Sequence, residues 1–147
     1  MDEVVETRVA PVAREHAEPA RQAYHILHWA FVAAPTIAGI DKFVHLLTNW
    51  DQYLAPSIEK LLPVSAHAFM LFVGAVEILA GLVVAVKPRI GAWVVAAWLC
   101  GIIVNLLLYS GFYDIALRDF GLLLAAIALA RLSATYDRGA FGRTRRA

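Results

Sequence analysis

A small set of polar and ionisable side chains lies inside otherwise apolar stretches of this sequence. Glu77 stands near the middle of Ala66–Val86, AHAFMLFVGAVEILAGLVVAV, where its other neighbours are apolar or small apart from His67 at the edge. Asp41, Lys42 and His45 close one further apolar run, Asn105 sits late in another, and Arg118 with Asp119 sits early in a third. In such a setting charges hold one another as ion pairs, bind a polar headgroup or ring, or pass protons. An unpaired carboxylate at the centre of a bilayer costs on the order of 2.5–3.5 kcal/mol, so Glu77 requires a proton, or a cation or donor from another helix. No catalytic constellation accompanies these residues: there is no glycine-rich phosphate loop, no Ser/His/Asp set and no HExxH. The single cysteine, Cys100, excludes an internal disulfide, a CxxC pair and a thiolate metal cluster.

The elements that must position these groups are helices in a membrane. The chain has 147 residues, 61% hydrophobic and 17% charged, where a soluble domain has about 45–50% and 25%. As a helix, Ala66–Val86 reaches roughly 31 Å, the thickness of a hydrocarbon core. Four such spans are expected, at about 24–47, 66–86, 90–109 and 113–132, forming one membrane domain over 23–132. A polar tail at 1–22, solvated or lying on the headgroups, precedes them, and a basic tail at 133–147 follows. The first apolar run begins too late for a cleavable leader, so the first span serves as its own insertion signal. Pro35 is read as a kink in that span. Thr48–Ser65 is too polar and proline-rich to cross and is read as a loop with a short interfacial helix. Lys87-Pro88-Arg89 is a three-residue break that makes the second and third spans antiparallel neighbours. The fold class is thus all-α, a polytopic antiparallel four-helix transmembrane bundle. All basic residues except Lys42, Lys60 and Arg118 then fall on one side, which the positive-inside rule makes cytoplasmic, with both termini. A net charge of +1 offers nothing to a nucleic acid.

With that topology Asp41, Asn105 and Arg118 lie about 9, 6 and 8 Å from the outer ends of their spans, with Glu77 deeper, at about 16 Å. Each shares a helical stripe with small residues: Ala34 and Ala38 with Asp41 and His45, Gly74 and Gly81 with Glu77, Gly101 with Asn105, Gly121 and Ala125 with Arg118. Small residues mark helix contact faces in membranes, so the polar groups are expected to turn inward. Arg118 is the expected hub, pairing Asp41 or reaching Glu77, while Lys42 snorkels to the outer headgroups. His45 is placed to bond Asp41 one turn below it. His25 and His28 lie near the other interface. Only His45 with His67 approaches the geometry of a bis-histidine haem, and neither haem nor metal is expected. The set Asp41, Lys42, His45, Glu77, Asn105, Arg118 and Asp119 is either a buried network that locks the helices or an outward-opening pocket for a headgroup, a quinone ring or protons.

On AGIDKF (38–43), GAVEILAG (74–81) and DIALRDFGLLLAAIALARL (114–132), the chain resembles the DoxX-like family of small four-span bacterial membrane proteins over about 26–132. The resemblance implies a bundle in the bacterial inner membrane and, in some relatives, work beside quinone-linked oxidation of sulfur compounds or in a membrane oxidoreductase assembly. Three functions follow. The first is a non-catalytic accessory or scaffold subunit of a quinone-linked or other membrane complex. The second is a quinone- or lipid-binding module, with quinone as the one cofactor in view. A small transporter or proton path is the third. Partners are the bilayer and other membrane subunits or a second copy.

Overall fold

The computed structural model describes the backbone of residues 2–141 and the side chains of 18–137. Its elements are helix α1 (Asp2–Val44), a 3-10 turn η1 (Trp50–Tyr53), a short helix α2 (Pro56–Glu59), and helices α3 (Ala66–Val86), α4 (Pro88–Leu107) and α5 (Tyr113–Phe141). There is no strand among the described residues. Three segments, Glu18–Val44, Ala66–Val86 and Pro88–Leu107, are long and apolar enough to cross a bilayer. Large apolar side chains such as Ile26, Leu79, Leu82 and Leu117 point outward from the helices, which suits a lipid solvent rather than water.

Local chemistry explains most of the element ends. Ser65 caps α3, its hydroxyl accepting the Ala68 N–H at 3.2 Å. The joint between α3 and α4 is Lys87 alone, at φ −135° and ψ 73°, rather than the expected three residues. Proline lacks the N–H that an N-terminal turn leaves unpaired anyway, so Pro88 and Arg89 already belong to α4. Helix α1 also differs from expectation. It begins at Asp2, so backbone assigned to a polar tail is helical, and it continues through Pro35. Next to that proline the Thr36 hydroxyl donates to the Val32 carbonyl at 2.7 Å. The basic end of the chain from 142 onward lies outside the described residues.

Helix α1 lies along α3 and α4 lies along α5, while contacts between these two pairs are fewer. The α1–α3 crossing depends on three glycines: Gly81, where an added Cβ would meet the Thr36 hydroxyl and lie 3.0 Å from the Val32 carbonyl oxygen, and the pair Gly39 and Gly74. A Cβ on Gly39 would sit 2.6 Å from the Gly74 carbonyl oxygen, and one on Gly74 would sit 2.7 Å from the Gly39 oxygen. No larger residue permits that approach. The expected contact stripes on α4 and α5 are different: a Cβ on Gly101 or Gly121 would meet nothing within 4 Å. Gly101 borders the space between the pairs, and Gly121 is exposed. Near the α3–α4 turn the gap is closed by an apolar core that includes Phe31, Val84, Leu99 and Leu129. At the opposite end the loop between α1 and α3 folds over the bundle, with Leu54 packed on Met70 and Val73.

Candidate functional site

Between the two helix pairs lies a cavity of about 760 Å³, walled chiefly by apolar side chains from all four long helices and from the loop. Its most buried polar feature is an ion pair across the α1–α3 crossing, Lys42 Nζ to Glu77 Oε2 at 2.5 Å, with side-chain exposures of 3% and 9%. Helical Cα–Cβ bonds tilt toward the helix N-terminus. The Lys42 stem accordingly runs back past Gly74, where an added Cβ would lie 3.0 Å from Lys42 Cβ, and its ammonium also donates to the Ala38 carbonyl at 3.5 Å. The crossing and the tilt together carry the ammonium to Glu77, so Lys42 does not snorkel outward as expected. Removing two charges from water is costly, and their short contact offsets that cost only while both are present.

The indole of Trp50 covers the ammonium, with the ring centroid 3.7 Å from Nζ, a favourable cation–π geometry. Asp41 holds that indole. Its Oδ2 accepts the Trp50 Nε1–H at 2.7 Å, and its Oδ1 accepts the Leu46 and Leu47 N–H groups at 2.9 Å each. Asp41 therefore closes the end of α1 and orients the residue above the ion pair. The expected contact with the His45 side chain does not form: His45 donates its backbone N–H to the Asp41 carbonyl, and its ring stacks on His67 with centroids 5.4 Å apart. The physical reason is an earlier helix end, at Val44, after which the chain reverses and brings new N–H donors to the carboxylate.

Asn105 joins the loop to α4. Its Nδ2 donates to the Tyr53 carbonyl at 2.7 Å and its Oδ1 accepts the Ala55 N–H at 2.9 Å. Arg118 is not the hub. Its Nε and Nη2 each contact Asp119 Oδ1 at 3.0 Å, and its side chain is 65% exposed while Asp119 is buried. Because α5 packs with α4, Arg118 lies on the other helix pair from Asp41 and Glu77 and pairs with its own neighbour. The five charges sort into two pairs plus Asp41, whose oxygens are met by three N–H donors.

Sequence reasoning overlooked two tryptophans. Trp50 reads as an interfacial anchor, yet it covers the ion pair. Trp98, on the cavity wall, buries its indole Nε1 beside the Glu77 carboxylate without a close hydrogen bond. The one signal for Trp98 was its place on the Gly101–Asn105 stripe. At the other end of the bundle, His28 Nε2 contacts the Val84 carbonyl at 3.0 Å and Tyr24 stacks on Tyr136, which ties α1 to the ends of α3 and α5.

This arrangement offers an apolar chamber with a charge-neutral ion pair and a buried indole N–H donor. It can bind and orient an amphipathic molecule. No known family model, curated protein or solved structure matches the chain.

Proposed function

We propose that this chain is a DoxX-like, four-span protein of the bacterial inner membrane that binds a quinone in the cavity between its two helix pairs. In this reading α5 is the fourth span, its Arg118 and Asp119 neutralising each other near the outer interface, and both termini are cytoplasmic. The observation that carries the proposal is the buried Trp98 Nε1–H, which lies beside Glu77 without a close hydrogen bond, in the wall of a cavity that also holds the Lys42–Glu77 pair. An unsatisfied donor in a low-dielectric wall costs free energy until an acceptor meets it. A quinone carbonyl is such an acceptor, and the apolar walls suit its ring and isoprenoid tail. The volume falls in the range of about 300–1,000 Å³ that small-molecule sites occupy. In this reading the role is to hold the molecule for a partner or release it to one.

The test is extraction and mass spectrometry of what co-purifies with the chain in a mild detergent, followed by loading with a soluble quinone analogue. The proposal expects about one quinone per chain, with occupancy reduced at least about tenfold in Trp98→Phe, roughly the loss of one buried hydrogen bond. A phospholipid in the cavity instead of quinone overturns the ligand class. A chain that stays empty on loading, or that loads equally well as Trp98→Phe, overturns the site. Purification with a second protein at fixed stoichiometry and no ligand returns the accessory-subunit reading.

A further inference from the structure

Outside the cavity, three segments bring metal-ligating side chains to one point. His45 follows the last turn of α1, Asp51 lies in η1 and His67 is the second residue of α3. One ligand atom from each lies within 4.8 Å of the other two. His67 Nδ1 and Asp51 Oδ2 are 3.1 Å apart, close to the separation of about 3.4 Å between neighbouring donors on a tetrahedral ion with bonds of about 2.0–2.2 Å. The His45 ring already lies over the His67 ring, and a change of χ angle in an exposed side chain closes the remaining distance.

Stability does not explain this convergence. The His67–Asp51 contact is half exposed, and exposed pairs contribute little. His45 sits at φ 54°, the left-handed position after a helix where glycine or asparagine is the ordinary choice. Asp51 Oδ1 is buried with no hydrogen-bond partner, which leaves the carboxylate short of positive charge. From these observations we infer that His45, Asp51 and His67 form a binding site for a divalent transition-metal ion, best suited to Zn²⁺, with a water in the fourth position.

Two nitrogens and one carboxylate oxygen are the ligand set of open tetrahedral zinc sites. The stacked imidazoles leave no space for a porphyrin between them, so the histidine pair serves an ion rather than a haem. The ion joins the end of α1, η1 and the start of α3. Trp50 and Tyr53 of η1 wall the cavity, so the metal clamps the loop that closes it. The site stands whatever occupies the cavity, and it revises the sequence-based expectation that no metal binds.

The experiment uses the untagged full chain in detergent, stripped with chelator and dialysed against Zn²⁺, with bound metal counted by atomic emission. His45→Asn keeps a residue that tolerates the left-handed backbone and removes the imidazole, so loss of folding does not confound it. His67→Gln removes the second ligand, and His25→Gln, at the opposite end, is the control. About one Zn²⁺ per chain is expected, with affinity reduced at least about a hundredfold in both ligand variants and unchanged in the control. Co²⁺ in place of Zn²⁺ gives a tetrahedral ligand-field absorption that His45→Asn abolishes. Absence of stoichiometric uptake, uptake that survives both ligand substitutions, or equal loss in the control overturns the site.

Discussion

Replacing Lys42 by methionine preserves the stem beside Gly74 and removes only the ammonium. Glu77 then keeps its position, its side chain 9% exposed, with its cation gone from 2.5 Å away. Breaking a buried pair from one side costs about 3–5 kcal/mol, because the remaining charge is desolvated and uncompensated. Loss of the ammonium's contact with the Trp50 ring adds roughly 0.5–2 kcal/mol. Glu77→Leu strands Lys42 in the same way and has a similar cost. The double variant Lys42→Met/Glu77→Leu fills the space with apolar side chains and should unfold within about 1 kcal/mol of the parent, since a well-packed apolar replacement of a buried pair is often neutral. The coupling between the two substitutions therefore exceeds about 3 kcal/mol, well beyond the additivity expected of independent sites. Reversible unfolding in mixed micelles, followed by circular dichroism as denaturing detergent is added, measures all four proteins. Quinone loading of the double variant then separates stability from function: the fold survives and binding falls. Single variants that each lose less than about 1 kcal/mol, or a double variant whose loss equals the sum of the singles, refute the reasoning.

Other substitutions examine the supports of the same site. Gly74→Ala drives a methyl group against the Gly39 carbonyl oxygen and Lys42 Cβ. It should cost about 1–3 kcal/mol as an overpacked contact, read by the same unfolding assay. Trp50→Phe retains a ring over Lys42 but deletes the N–H that Asp41 Oδ2 accepts. A loss of about 1–3 kcal/mol is expected, with tryptic cleavage after Lys60 becoming faster as the loop loosens. Trp98→Phe, by contrast, removes a donor that makes no close hydrogen bond, so stability should stay within about 1 kcal/mol of the parent while quinone occupancy drops.

The run Ala66–Val86 could be read directly as a helix because its apolar residues are continuous and Ser65 is a strong cap, and α3 has those limits. Its glutamate was readable as buried for the same reason. The partner of that glutamate was not, because helical periodicity states which residues share a face and says nothing of what lies opposite. Gly74, Gly81, Gly101 and Gly121 are alike as members of small-residue stripes. Only the first two meet a facing helix, against Gly39 and Thr36 of α1, while a Cβ on either of the others would meet nothing within 4 Å. That difference decides the charges: α1 and α3 meet through glycines, so Lys42 reaches Glu77, and Arg118 on the other helix pair is left with Asp119. One clue was present in the sequence. A lysine's stem leans toward its helix N-terminus, which at the C-terminal end of a span points Lys42 back along the helix toward the span's middle. The cavity follows from the same division: each helix pair packs closely within itself while the two pairs touch less, and the space left between them is lined by Lys42 and Glu77 from one pair and Asp119 from the other.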